Sequence, residues 1–343
     1  MTYADAWERF LIAARGGQPP RVPVALIVDS PWMPGFLGMD TLDFYLYPDR
    51  WLDAYLSIMA RFPDVVFLPG FWVEYGMANE PSAFGVPVLW HHDSPPGLRH
   101  LTLPPAAWAD LPRPDPRTDG LMALALQRLV NLEQRGGLPE PHRIHFAAAR
   151  GPLALAAHVL GTTAFLEAVA LEPEAAQAAL EVFTETVIAF LRAQIDRLRA
   201  ALGVLVLDDI VGMLSPNTYQ TMALPYLQRI FGAFEGLIRL YHNDTPCAHL
   251  LPHLPAAGFD VFNFSHELDV ATVKAAMPGV ALLGNVAPLA LMVNGTPAQV
   301  EAAARACIEQ GAPGGGFILS AGGGVSPGTP ASSIDALVRA AQG

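Results

Sequence analysis

"GVLVLDDIVGMLSPNTYQTMALPYLQRIFGAFEGLIRLYHND", residues 203–244, reads as strand, helix, strand. Its first run, 203–209, is apolar until it ends in two aspartates, and its last, 237–242, is apolar apart from Arg239 until it ends in a histidine. Between them, 216–234 repeats its apolar residues at helical spacing. Near-continuous apolar runs without polar alternation are what strands buried on both faces look like, and such strands belong to parallel sheets covered by helices. The question is how often the unit recurs.

It recurs along the whole chain. Further strand candidates are 22–29, 64–69, 143–149, 260–264, 279–285 and 316–322, which with 203–209 and 237–242 make eight. Helical patterns occupy 50–62, 118–135, about 173–202, 216–234, 246–257, 268–276, 297–310 and 331–342. The opening "MTYADAWERFLIAARGG" reads as an amphipathic helix, and the Pro-rich segment 71–117 as an irregular insertion after the second strand. Eight strands alternating with helices are the arithmetic of a (β/α)8 barrel of the TIM type. A doubly wound sheet usually has fewer strands and often a Gly-rich turn after the first, which "VDSPWMPG" is not. With no linker and no internal repeat, residues 1–343 are expected to form a single barrel domain.

The composition narrows the function classes. The 343 residues are 52% hydrophobic and 15% charged, so a large core is available. No apolar run approaches the roughly 18 residues that a membrane span needs. A formal charge of −12 offers no basic stripe for phosphates, which argues against a nucleic-acid partner. Two cysteines make no disulfide framework and suit a reducing compartment, so a cytoplasmic protein is expected. The 32 prolines and 30 glycines fall between periodic segments, as loop punctuation.

In (β/α)8 barrels the chemistry sits at the C-terminal strand ends. Here those ends carry Asp29, Glu74, Arg150 with His158 beyond it, Asp208–Asp209, His242 with Asp244, Asn263 with Ser265 and His266, Asn285, and the glycines of "SAGGG", including Gly322 and Gly323. His242-x-Asp244 places two donors where a strand opens into a loop, and Cys247 lies close enough in sequence to join them around an ion; alternatively Asp244 or Thr245 caps a following helix. Asp208 and Asp209 point to opposite sides of a strand end. One can therefore face the mouth and move protons while the other ties down a loop. His158 is a third acid–base candidate. Asp29, Glu74, Asn285, Gly322 and Gly323 are candidates for contacting a small-molecule substrate.

Four stretches in this order, "GPLALAAHVLG", "LDDIVGMLSPNTYQTMALPYLQRIF", "LLGNVAPLALMVNGTPAQV" and "GGGFILSAGGGVSPGTPASSIDALV", resemble the uroporphyrinogen decarboxylase superfamily from about residue 140 onward. The superfamily implies a (β/α)8 barrel and one of two activities. Its decarboxylases bind a polycarboxylate tetrapyrrole through an arginine-bearing loop after the first strand, and this chain has "VDSPWMPGFLG" there. A tyrosine and a histidine of those enzymes are matched by His158 and Gly323. The zinc-dependent methyltransferase branch, which moves methyl groups between corrinoids and thiols, is the better match. Its His-x-Cys pair and distant cysteine correspond to His242, Asp244 and Gly323. The resemblance therefore implies a divalent metal, zinc first, with methylcobalamin or another corrinoid as co-substrate. It further implies a corrinoid carrier protein as partner and a homodimer. A decarboxylase or lyase acting on a small acid without metal, and a non-catalytic binding barrel, are the alternatives.

Overall fold

A computed structural model describes residues 3–28 and 31–343; Asp29 therefore lies outside the described residues. Eight strands form one parallel sheet: β1 Val24–Ile27, β2 Val65–Leu68, β3 Phe146–Arg150, β4 Gly203–Leu207, β5 Ile238–Asn243, β6 Val261–Phe264, β7 Ala281–Val286 and β8 Phe317–Ala321. Neighbours follow in the order β2, β1, β8, β7, β6, β5, β4, β3, so the sheet curls on itself as a (β/α)8 barrel with one unladdered seam between β2 and β3. All eight strand candidates are present, each within the span expected for it or reaching one residue past its end. Their largely apolar character has the anticipated cause: nearly all their residues are buried, against the barrel interior or the surrounding helices.

The seam is closed by side chains. At either end of β3, His145 and Gly151 direct their backbone groups to β4 and the residue before it, through bonds with Leu202, Gly203 and Leu207. The alternate residues face the seam, where Glu133 accepts from Ile144 N (2.8 Å) and Glu80 from Arg150 N (2.9 Å). Gln194 accepts from Ala148 N at 3.1 Å and donates to Ala148 O at 2.9 Å. Glu80, Glu133 and Gln194 are all buried, so these four backbone groups, which lack a ladder, are satisfied without water.

The N-terminal helix Tyr3–Ala14 covers the bottom of the barrel, where Trp7 and Phe10 pack on Phe146 at the start of β3. The helix Pro173–Ile195 is the longest, beginning at a proline whose missing N–H costs nothing in a first turn. The helix Pro297–Gly311 starts with a capping box between Thr296 and Gln299. Among the described residues no single helix is long and apolar enough to cross a membrane.

Two helix expectations are corrected. Segment 246–257 is not a helix but two 3-10 turns, Ala248–Leu250 and Leu254–Ala257. Pro252 and Pro255 each remove an N–H and break the helical ladder. Segment 216–234 is split into Pro216–Met222 and Leu224–Gly232, with Pro225 at the break. Within the insertion, residues 88–89 and 97–98 pair as a small antiparallel hairpin.

Candidate active site

Strand register sets one rung of the site. Arg150 on β3 pairs with Leu207 on β4, Leu207 with His242 on β5, and His242 with Asn263 on β6. An open cavity of about 260 Å³ lies over this rung at the C-terminal end of the barrel. Arg150, His158, Leu207, Asp209, His242 and Asp244 line it, with Met77 and the segment 324–327 after β8.

Asn263 determines how His242 presents itself. Its Nδ2 donates to the Leu283 and Ala321 carbonyls at 2.7 and 3.3 Å, which leaves Oδ1 facing His242 Nδ1 at 2.6 Å. Oδ1 only accepts, so Nδ1 carries a proton, and in the neutral imidazole that a metal would require, Nε2 is the nitrogen with the free lone pair. Nε2 lies 3.5 Å from Asp209 Oδ1 and 4.0 Å from Asp244 Oδ2. One ligand atom from each of these three residues falls within 4.8 Å of the other two. A lone pair and two carboxylates converging in this way suit a divalent cation of the zinc class, which accepts nitrogen and carboxylate oxygen together.

The two carboxyl groups stand close together. Asp209 Oδ1 accepts from the backbone N of Asp244 at 3.0 Å. The Asp244 carboxyl is raised above its ordinary range by burial and by the Asp209 charge, against a lowering pull from His242. Gly323 makes the room: a Cβ there would stand 2.8 Å from Asp244 Oδ2.

Elsewhere in the cavity, Arg150 is fixed in place. Its Nη2 is 3.2 Å from Glu74 Oε2, its guanidinium sits 5.4 Å from the Trp72 ring centroid, and Nε and Nη2 donate to Met77 Sδ. Burial, with Arg150 nearby, lowers the His158 pKa to about 4, so its imidazole is neutral at pH 7.

The remaining candidates sit apart from the cluster. Asp208 is fully buried, its carboxylate accepting from Leu153 N (3.0 Å) and Ala154 N (2.8 Å) at the start of the helix Pro152–Leu160. Burial pushes its pKa up, while these amides pull it down. Asn285 donates to Ser265 O and Leu268 O at 3.2 and 2.6 Å, and Cys307 donates to it from outside the barrel. Cys247 is buried, its thiol pushed up to about 11 by burial, and it contributes no atom to the cluster. Gly322 packs on the backbone of His266, and Glu74 reaches the cavity only through Arg150. Asp209 supplies the third ligand atom in place of Cys247. The sequence reading left Asn263 without a role and named Arg150 only as a strand end; their position on the His242 rung is the signal that identifies them.

Residues 5–343 match the family model described as Uroporphyrinogen decarboxylase (URO-D). Among similar curated proteins, a uroporphyrinogen decarboxylase of Synechococcus sp. is 33% identical over 177 residues, 49% of this chain and 48% of that protein. One from Azotobacter vinelandii is 27% identical over 303 residues, covering 84% and 81%. A methylated-thiol–coenzyme M methyltransferase of Methanosarcina mazei is 30% identical over 194 residues, covering 55% and 50%. The chain thus spans about half the length of several curated relatives that it matches. A solved methyltransferase structure from Methanosarcina mazei superposes over 98% of both chains with a TM-score of 0.84 at 19% identity, a likeness of fold.

Proposed function

Since the chain belongs to the uroporphyrinogen decarboxylase (URO-D) family, we propose that it is a methyltransferase-like enzyme whose barrel mouth holds a divalent metal on Asp209, His242 and Asp244. The observation that carries this reading is the convergence of those three ligand atoms within 4.8 Å, with Asn263 turning the His242 lone pair toward the carboxylates. A zinc ion held there would lower the proton affinity of a thiol at its open position, making the thiolate available as methyl acceptor. In this reading the methyl group would pass to that thiolate from a corrinoid, free as methylcobalamin or on a carrier protein, and the chain would pair as a homodimer.

The chain's own residues have distinct tasks in this reading. Asp209 and Asp244 concentrate negative charge where a cation relieves their repulsion. Arg150, braced by Glu74, presents a positive charge on the same cavity wall, suited to an anionic group on the substrate. Neutral His158 donates or accepts a hydrogen bond without adding charge. Asp208 is a positioning residue that holds the helix carrying His158, and Asn285 and Gly322 support the loops of the rim. Gly323 leaves space for Asp244 where the methyltransferase branch has a cysteine, so an oxygen ligand replaces sulfur. A second reading, metal-free decarboxylation of a small acid, draws on Arg150 and His158 lining one cavity.

Metal content of protein purified without chelator, measured by mass spectrometry, tests the first reading beside demethylation of methylcobalamin by a small thiol. One metal per chain, lost in His242→Ala and Asp209→Ala, is the expected result. Protein that stays metal-free after incubation with zinc overturns it and leaves the second reading in place.

A further inference from the structure

The Asp209 and Asp244 side chains are 43% and 44% exposed, so packing alone does little to fix them. Asp209 opens the 3-10 turn Asp209–Met213 that follows β4, and Asp244 is the first residue after β5. Two strand exits must therefore keep one relation for these carboxyl groups to share an ion with His242. The backbone ladder between β4 and β5 ends with the bond from Asp208 N to His242 O at 3.0 Å, before either ligand residue is reached.

Side chains continue the join. Thr245 Oγ1 lies 3.1 Å from the backbone oxygen of Asp209 and 2.5 Å from Asn243 Oδ1, and its one proton is shared between those two acceptors. Asn243 Oδ1 also accepts from Thr245 N at 3.0 Å. The Asn243 amide donates to Tyr241 Oη at 3.4 Å, and that hydroxyl donates to Asp208 O at 3.1 Å. Tyr241 and Asn243 alternate with His242 along β5, so they face the opposite side of the strand. Neither they nor Thr245 lines the mouth cavity or supplies a ligand atom. Gly212 admits the hydroxyl to the Asp209 turn: a Cβ there would stand 1.7 Å from Thr245 Oγ1 and 3.2 Å from Asn243 Oδ1.

We propose, resting on the metal reading above, that Thr245 is a positioning residue of the site. Its hydroxyl, braced by Asn243, holds the Asp209 turn against the β5 exit and so seats the Asp209 carboxylate beside Asp244. The bond of 3.0 Å from Asp244 N to Asp209 Oδ1 is the contact that this hold maintains. Partners that orient ligands in this way typically contribute about 10- to 100-fold to metal affinity.

Two readouts on the full chain test it: zinc affinity per folded protein, by competition with a chromogenic chelator, and amide exchange at Asp244 in the zinc-free protein, by NMR. Thr245→Val keeps the shape and removes the hydroxyl. It should weaken zinc binding and speed exchange at Asp244, each by at least about tenfold. Thr245→Ser keeps the hydroxyl and should stay within about twofold of native in both. A merely structural threonine would cost stability in Thr245→Val and leave both readings at native values, and that result overturns the proposal. Equal losses in Thr245→Ser and Thr245→Val overturn it too, because they assign the effect to packing. Where zinc binds, a change in only one of the two readings also overturns it. Should Thr245→Val fail to fold, Gly212→Ala pushes the hydroxyl out of the turn and should give the same two changes; native values in that variant overturn the proposal. Native protein that takes up no zinc refutes the metal reading alone, and exchange at Asp244 then decides by itself whether Thr245 positions Asp209.

Discussion

Asn263 Oδ1 stands 2.6 Å from His242 Nδ1, and two backbone carbonyls hold the rest of the Asn263 amide so that it can only accept there. The nitrogen that His242 turns toward Asp209 and Asp244 is thus chosen one strand away from the histidine itself. Replacing Asn263 by Leu removes that constraint and lets either imidazole nitrogen carry the proton. The expected outcome is a loss of zinc affinity of about 10- to 100-fold, the usual cost of removing such a partner, read by competition with a chromogenic chelator. Unchanged affinity would mean that His242 does not bind through Nε2.

Asp208 and Asp209 are adjacent yet should fail differently. Asp208→Ala leaves the Leu153 and Ala154 N–H groups buried without an acceptor, and should cost about 2 kcal/mol of stability in urea unfolding. Its zinc affinity per folded chain should stay within about twofold. Asp209→Ala should do the reverse, with stability near native and zinc affinity down by at least about tenfold. Equal effects from both variants would contradict this division.

His158 makes stability depend on acid. The unfolded chain binds a proton at this imidazole below pH 6.5, whereas the folded protein does so only below about 4. The unfolded state therefore holds more protons between those values. Stability is complete above pH 6.5 and falls as pH drops toward 4, by about 3 kcal/mol at most. His158→Gln should flatten that limb of the stability curve. A native His158 that titrates near 6.5 by NMR would refute the prediction.

Gln194 substitutes for a missing strand neighbour by bonding both Ala148 N and Ala148 O. Gln194→Leu keeps much of the volume but orphans both groups in the core. A loss of about 2–4 kcal/mol is expected, measured as a lower urea midpoint at unchanged m-value. A neutral outcome would show that the seam is closed by other means.

The eight strands were legible in the sequence because strand burial is a local pattern. "GVLVLDD" and "LIRLYH" need no knowledge of one another to read as buried strands. The rule that barrels carry their chemistry at strand ends then located His242, Asp244 and Asp209 near one mouth. Breaks inside helical patterns were less visible. Apolar spacing across 246–257 is compatible with a helix, and only the backbone cost of Pro252 and Pro255 decides against it.

Sequence alone determined the barrel, because its alternation of apolar runs and helical stripes leaves few other ways to bury so much apolar surface. It did not decide which acid joins His242. The choice of Asp209 over Asp208 and Cys247 follows from the pairing of Leu207 with His242, and from backbone amides that claim Asp208 first. Periodicity is a property of neighbours in the chain, whereas ligation and charge compensation are properties of neighbours in space.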